Sequence, residues 1–150
     1  MLFKKILANI AMVLSQDPHA VQEIKCMQEV VYYEARGEPT VGQVGVASVV
    51  ANRTKDTRWP DTFCEVVKQK KQFSYRNNGL QKRHKPYLYS VAEKRAYEQA
   101  LVIAFKAYIG VLPDVTNGAN HFHNPYLSRP SWGRKFEVTA MLGNHRYSKA

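Results

Sequence analysis

The sequence predicts one α+β domain that is mainly helical, with a small β-sheet or hairpin late in the chain. Apolar residues recur at helical spacing up to Gly110, glycines and prolines separate the helical segments, and apolar residues alternate with polar ones near the C-terminus. A chain of 150 residues suits a single domain with one hydrophobic core. We expect residues 1–20 to form an N-terminal segment and residues 21–149 to form the core of that domain.

The first residues, up to Leu14, fit an amphipathic helix that Pro18 would end. Its apolar face would consist of Phe3, Ile6, Ile10 and Val13. The same segment has the basic residues and short apolar run of a weak signal peptide, but no small-x-small cleavage site follows. We favour the structural helix, and no segment is long enough to span a membrane.

The second helix is expected from Val21 to Ala35, and its apolar stripe ends on a carboxylate. The stripe follows i, i+3, i+7 spacing and consists of Ile24, Met27 and Val31. Glu34 is the next position on it, just before Gly37 and Pro39 stop the helix. Because desolvation disfavours the charged form of an acid, we expect a raised pKa for Glu34, which suits a general acid near neutral pH.

The third helix, Val41 to about Asn52, is apolar on nearly all sides and should lie at the centre of the fold. Thr40 and Gln43 have the spacing of a capping box at its start. Gly42 and Gly45 would permit close approach of a neighbouring helix, and we expect that neighbour to be the second helix.

Two further capping boxes, Thr62-x-x-Glu65 and Ser90-x-x-Glu93, predict a short helix and then the longest one, which ends at about Ile109. The apolar stripe of the long helix consists of Tyr97, Leu101, Phe105 and Tyr108. Residues 68–86 form a long basic connection between the two helices. Aromatic residues in and beside it argue against disorder and favour a functional surface loop. They are Phe73, Tyr75 and Tyr87.

The C-terminal segment predicts a β-hairpin. Apolar residues alternate from Phe136 to Leu142, the chain turns at Gly143-Asn144, and it returns through Arg146 and Tyr147. The β element of the fold should therefore lie after the last long helix.

Composition limits the classes of partner. The chain has 22 Lys and Arg against 12 Asp and Glu, a net charge of +10, which attracts polyanions: nucleic acid, anionic lipid or an acidic cell-wall polymer. At 45% hydrophobic and 23% charged residues, it has the composition of a globular protein. Cys26 and Cys64 are too few for a disulfide framework or a cysteine zinc site. A single disulfide between the two cysteines is possible, but two buried thiols are the more common state.

Glu34 and Glu38 form the first group of residues that could carry chemistry. Two carboxylates are the usual equipment for cleaving a glycosidic bond. The alternative is a helix-end ion pair of either acid with Arg36 or Arg53.

Histidines and a basic stretch form the other two groups. His121 and His123 could share a metal, with His145 or a Glu as third ligand, although structural or substrate-contacting histidines are the more common case. The basic and aromatic stretch 68–89 could bind nucleic acid, or it could line a groove for an anionic polysaccharide.

A set of short motifs runs in order from Cys26 to Lys149 and covers nearly the whole chain. The motifs are Tyr33-Glu34-Ala35-Arg36-Gly37-Glu38-Pro39, Gly42-Gln43, Ala51-Asn52-Arg53, the stretch 59–67, Gln72-Phe73-Ser74, the stretch 120–125, Pro130-Ser131-Trp132 and Gly143-Asn144-His145. In this order they resemble the catalytic domain of the spore-cortex-lytic cell wall hydrolases. Any one motif alone would be a weak signal.

The resemblance implies a fold like those of lysozyme and the lytic transglycosylases, and cleavage of the MurNAc-GlcNAc β-1,4 bond of peptidoglycan. It implies that Glu34 is the catalytic acid, and that it then acts as base while the muramic C6 hydroxyl closes a 1,6-anhydro ring. Glu38 becomes a supporting residue, paired with Arg36 or Arg53. No cofactor and no metal ligand are implied. The substrate-binding or supporting residues would be Glu38, Arg36, Gln43, Gln72, Phe73, Ser74, Tyr75, His121, His123, Asn124 and Trp132.

Alternatives remain open at this point: a muramidase of the same fold, a metal-dependent wall amidase or peptidase that uses His121 and His123, and a basic nucleic-acid-binding module. Without a separate wall-binding domain and with a basic middle loop, the chain looks more like a phage endolysin or a small wall-remodelling enzyme than a spore enzyme. We expect a monomer made in the cytoplasm that acts in the cell wall or periplasm, released by a holin or exported by the weak N-terminal signal. Its partners would be glycan strands and anionic envelope polymers, with no nucleic acid.

Overall fold

The computed structural model describes residues 2–14, 16–69 and 72–150, without the side chains of Phe3, Val13, Leu14 and Ser74. The expected helices and the late hairpin strands are present in the expected order, and two short helices (Ser74–Asn77 and Leu80–Arg83) and one strand (His121–His123) are present in addition. The helices are α1 Leu2–Leu14, α2 Pro18–Ala35, α3 Thr40–Thr54, α4 Phe63–Lys68, α5 Ser74–Asn77, α6 Leu80–Arg83 and α7 Val91–Tyr108. The strands are β1 His121–His123, β2 Glu137–Leu142 and β3 His145–Lys149. No helix among the described residues is both long and apolar enough to cross a bilayer.

The expected first helix is present as α1. It ends at Leu14, and Pro18 is the first residue of α2. Of the predicted apolar face, Ile10 is buried, but Ile6 is exposed, so the face is only partly covered. The side chains of Phe3 and Val13 lie outside the described part. The Asp17 carboxylate accepts the backbone N–H groups of His19 and Ala20, which caps α2. Proline fits the first turn of a helix because its missing N–H would have no partner there.

The hydrophobic core lies where α2 packs against α3, α4 and α7. The stripe residues Ile24, Met27 and Val31 are buried, as predicted. On α7 the four residues of the predicted stripe are partly buried against the core, while Ala100, Ile103 and Ala104 lie deepest. The Tyr32 hydroxyl donates to the Glu93 carboxylate (2.6 Å), which joins α2 to the start of α7. Glu34 is therefore carried by the helix that packs against the other three core helices.

The predicted capping box at the start of α3 is wrong. The residue before the helix is Pro39, with no side-chain cap, and the Gln43 side chain donates instead to the Glu38 carbonyl oxygen (3.1 Å). The Thr40 hydroxyl accepts from Gln99 (3.0 Å). The boxes at Thr62 and Ser90 are confirmed as caps, since each hydroxyl accepts the expected backbone N–H.

The expectation that the glycines of α3 allow close approach of the second helix is wrong. The element that packs closely on Gly45 is a β-strand. A Cβ at Gly45 would collide with the ring and hydroxyl of Tyr147 on β3, which is fully buried. The Tyr147 hydroxyl donates to the Gly42 carbonyl oxygen (3.0 Å). The small sheet is thereby held directly against α3.

The sheet has three antiparallel strands in the order β1-β3-β2. The predicted hairpin corresponds to β2 and β3, joined at Gly143 with φ +59°, a conformation that favours glycine. The register shifts between Val138 and Ala140. Strand β1 lies on the other side of β3, so His121 and His123 stand beside the hairpin.

Cys26 and Cys64 form a disulfide, whereas two buried thiols were the expected state. The bridge joins α2 to α4, with 5.2 Å between the Cα atoms. Beside it, the buried Glu23 carboxylate accepts the backbone N–H groups of Phe63 (2.7 Å) and Cys64 (3.2 Å). The start of α4 is therefore held to α2 by a covalent bond and two charge-assisted hydrogen bonds.

Candidate functional site

A groove of about 940 Å³ lies between the C-terminal end of α2 and the sheet. Segments far apart in sequence meet in it: the end of α2, the end of α3, the start of α5, β1, the loop after β1 and the β2–β3 turn. Nine of the twelve residues predicted for the site line it. They are Glu34, Arg36, Glu38, Gln72, Phe73, His121, His123, Asn124 and Trp132.

Glu34 lies in the last turn of α2 and faces this groove. Desolvation raises the pKa of its carboxyl from the usual 4.5 to about 7. Among the residues that the structure describes, no Lys, Arg or His forms an ion pair with it. At neutral pH the group is therefore protonated in a large fraction of molecules, and it can both donate and accept a proton.

Glu38 is held by the β2–β3 turn and not by either predicted arginine. Its carboxylate accepts the Asn144 backbone N–H (3.2 Å) and lies 3.8 Å from the His145 Nε2 atom. Desolvation lowers the pKa of His145 against the opposing effect of Glu38, so the imidazole is neutral at pH 7. Glu38 thus holds the turn by hydrogen bonding, and its contact with the neutral His145 is not an ion pair at pH 7.

The arginines expected beside Glu38 have other partners. Arg36 lies 3.8 Å from the Glu93 carboxylate and places its guanidinium over the Tyr32 ring, 5.0 Å from the ring centre. Arg36 still lines the groove. The expectation of a pair between Glu38 and Arg36 is therefore wrong.

Arg53 is buried in the wall of the groove, although the sequence predicted it as an ion-pair partner and a motif residue and not as a site residue. Its Nε donates to the Asn120 carbonyl oxygen (2.7 Å), and a terminal nitrogen donates to the Gln72 side-chain oxygen (3.1 Å). The guanidinium also lies between the rings of Trp59 and Phe73, at 5.5 and 5.7 Å. Desolvation lowers its pKa to about 10, so it remains a cation at neutral pH. A polar residue at the end of an apolar helix was the available sequence signal.

Aromatic rings form the wall opposite α2. The Trp132 ring lies 4.9 Å from the His121 ring, 5.2 Å from the His123 ring, and stacks on Phe136 at 5.5 Å. Rings of this kind are suited to the apolar faces of sugars. Desolvation, with Arg53 and Arg58 nearby, lowers the pKa of His121 to about 4, and desolvation also lowers the pKa of His123. Both imidazoles are therefore neutral groove-lining groups at pH 7.

The histidines do not form the predicted alternative of a metal site with a third ligand. Within the described ranges, no three His, Cys, Asp or Glu side chains are grouped as metal ligands. His145 points to Glu38, and the His121 Nδ1 atom lies 2.8 Å from the Asn120 side-chain oxygen.

Three predicted residues are not seen in the groove. Gln43 is buried and donates a hydrogen bond to the Glu38 carbonyl oxygen. Tyr75 is also buried, and its ring stacks on the ring of Tyr33 with 5.1 Å between the ring centres. Both support residues that line the groove. The side chain of Ser74 lies outside the described part.

The basic connection 68–86 folds into α5 and α6 and contributes to the groove through Gln72, Phe73 and Asn77. Of its described lysines and arginines, none lines the groove. Arg76 pairs with Glu29 (3.3 Å), and Arg83 donates to the Asn78 carbonyl oxygen. The described charges of this stretch therefore do not form part of the groove wall.

A mainly helical domain with a small sheet, a long groove, a desolvated acid and an aromatic wall has the features of a carbohydrate-cleaving enzyme. A model of the Cell Wall Hydrolase family matches residues 37–148. The chain belongs to this family, as the motifs predicted.

Curated relatives and solved structures agree with this assignment. A spore cortex-lytic enzyme of Halalkalibacterium halodurans is 31% identical over 125 residues, which covers 82% of this chain and 33% of that protein. One of Bacillus cereus is 27% identical over 133 residues, covering 87% of this chain and 46% of that protein. The chain thus spans between a third and a half of these relatives' length.

The catalytic domain of the germination-specific lytic transglycosylase SleB from Bacillus anthracis has the same fold. It matches with a TM-score of 0.66 and 27% identity, over 85% of this chain and 93% of that domain. The SleB catalytic domain of Bacillus cereus matches with a TM-score of 0.65 and 29% identity, over 85% and 89%. The predicted fold class is confirmed.

Proposed function

We propose that this protein cleaves the MurNAc-GlcNAc β-1,4 bond of peptidoglycan as a lytic transglycosylase, with Glu34 as general acid and then general base. The observation that carries the proposal is the Glu34 carboxyl in the groove, with its pKa raised to about 7 by desolvation. The similarity to SleB, described as a lytic transglycosylase, supports the reaction type. An endolysin role is not part of the proposal, because the relatives that match are bacterial spore enzymes.

In the first step, protonated Glu34 donates its proton to the glycosidic oxygen as the bond from that oxygen to the muramic C1 breaks. In the second, the Glu34 carboxylate takes the proton of the muramic C6 hydroxyl, whose oxygen bonds to C1 and closes the 1,6-anhydro ring. Glu34 ends the cycle protonated, so one acid suffices. Because Glu38 is engaged by Asn144 and His145, it is poorly placed to serve as a second, nucleophilic carboxylate.

The remaining groove residues have supporting roles in this proposal. Trp132, His121 and His123 would pack against sugar rings, while Gln72 and Asn124 would offer polar contacts. Arg53 would hold Gln72 and the chain at Asn120 in place. We infer that the protein acts on wall peptidoglycan, with its net charge of +10 assisting contact with anionic envelope polymers.

Lysis of purified sacculi by wild type, Glu34→Gln and Glu38→Gln tests the proposal. Glu34→Gln should be folded and inactive, and Glu38→Gln should retain measurable lysis. Mass spectrometry of the released muropeptides distinguishes the reactions, because an anhydromuramic end is one water molecule lighter than a reducing end. Full activity of Glu34→Gln would refute the assignment, and reducing ends would identify a muramidase.

A further inference from the structure

A second cavity, of about 490 Å³, adjoins the candidate groove. The two share His123, Ser128 and Pro130 as lining residues. A polymer bound in the groove could therefore extend a side branch into the second cavity while the main strand stays in place.

Three arginines surround this cavity: Arg129, Arg134 and Arg146. Arg146 lies on β3 opposite His123, Arg134 lies in a 3-10 turn at Ser131–Arg134, and Arg129 lies in the loop before that turn. Of the described residues that line the cavity, none is Asp or Glu.

None of these three guanidinium groups has an ion pair or a side-chain hydrogen bond with the described residues. Two other arginines do form ion pairs: Arg58 with Asp56 at 2.7 Å, and Arg76 with Glu29 at 3.3 Å. Three unpaired guanidinium groups around one cavity repel one another, and a bound oxyanion would offset that repulsion. A guanidinium also matches a carboxylate with two parallel hydrogen bonds.

We propose that this cavity, the arginine pocket, binds the carboxylates of the peptide stems that branch from the glycan strand. The proposal rests on the proposed function, because the strand in the groove would present the stem. The stem is favoured over a free polyanion because the pocket adjoins the groove at His123, Ser128 and Pro130, so a branch of a strand in the groove could enter it. The pocket thereby distinguishes wall that still carries its peptides from bare glycan.

The test compares two substrates with four proteins. The substrates are sacculi freed of phosphate-containing polymers, and the same glycan after an amidase has hydrolysed the amide bonds to its stems. The second substrate keeps only the lactyl carboxylate next to each muramic ring, so it lacks the carboxylates farther along the stem. The proteins are wild type, Arg129→Gln/Arg134→Gln, Arg146→Gln, and Arg95→Gln as the matched control. Arg95 is exposed on α7 and lines neither cavity described here, so its variant removes one positive charge elsewhere, as Arg146→Gln does in the pocket. Thermal unfolding checks that each variant is folded.

On stem-bearing sacculi, we expect each pocket variant to lose about five- to tenfold in kcat/KM through a higher KM, with kcat unchanged. On stem-free glycan, the pocket variants should match wild type, and the control should match it on both substrates. Added salt should reduce the advantage of wild type, because the contact is between charges at the surface.

Other outcomes overturn the proposal. Equal losses on both substrates would mean that the arginines support the groove, and no loss would mean that they bind nothing there. A loss seen only when phosphate-containing polymers are left on the wall would assign the pocket to phosphate. If wild type cleaves neither substrate, the proposed function itself fails, which is a separate result.

Discussion

Replacing Glu34 with Gln should make the folded protein more stable at pH 8 and leave its stability nearly unchanged at pH 4. In the unfolded chain the carboxyl ionises around its usual pKa of 4.5, whereas desolvation raises the folded pKa to about 7. Ionisation therefore favours the unfolded chain above pH 4.5, and the cost to the folded state is complete only above about pH 7. Gln has nearly the same shape and cannot ionise, so it removes this cost.

The magnitude follows from the difference of about 2.5 between the two pKa values, since each pKa step corresponds to about 1.4 kcal/mol. The gain in free energy of unfolding for Glu34→Gln should be about 3 kcal/mol at pH 8 and about 2 kcal/mol at pH 6. At pH 4 it should be close to zero, because both states are then mostly protonated.

Urea denaturation followed by circular dichroism, at pH 4, 6 and 8, measures these differences. Glu38→Gln is the matched control. Its carboxylate accepts the Asn144 N–H, so its replacement should give no gain at pH 8. If Glu34→Gln gained the same stability at all three pH values, the carboxyl would not be desolvated, and the physical basis for a general acid would be lost.

Three further predictions concern activity and stability. The kcat/KM for sacculus lysis should fall as pH rises through about 7, because the acid form of Glu34 is then lost; a rate that still rises at pH 9 would contradict this. The Cys26→Ser/Cys64→Ser variant should lose about 4 kcal/mol of unfolding free energy, from a loop of 38 residues, and reductant should destabilise wild type but not the variant. Gly45→Ala should lose about 2 kcal/mol, measured in urea, because the new methyl group meets a buried tyrosine ring. Gly37→Ala, with nothing within 4 Å, is its control and should change stability little.

Features set by local spacing could be predicted from the sequence. The stripe that leads to Glu34, the caps at Thr62 and Ser90, and the hairpin after Phe136 all depend on neighbours within one or two turns of chain. The raised pKa of Glu34 could be predicted as well, because a carboxyl on an apolar stripe is desolvated when the stripe is buried.

Contacts between distant segments could not be predicted. The Asn144 N–H that binds Glu38 lies 106 residues away along the chain, and the carbonyl that Arg53 meets lies 67 residues away. Sequence proximity therefore predicted the wrong partners for Glu38 and Arg53. The disulfide likewise depends on how α2 meets α4, which a count of two cysteines does not encode.

The contact between Gly45 and Tyr147 is one of the contacts that hold the sheet, and with it one wall of the groove, against α3. One wall is the end of α2 with Glu34, and the other is the sheet with His121 and His123, which is seated on α3 through that tyrosine. A change of side-chain volume at this buried contact would move the aromatic wall relative to the acid without altering a single groove residue. If the proposed function holds, the width of the groove could therefore be changed by a substitution outside the groove.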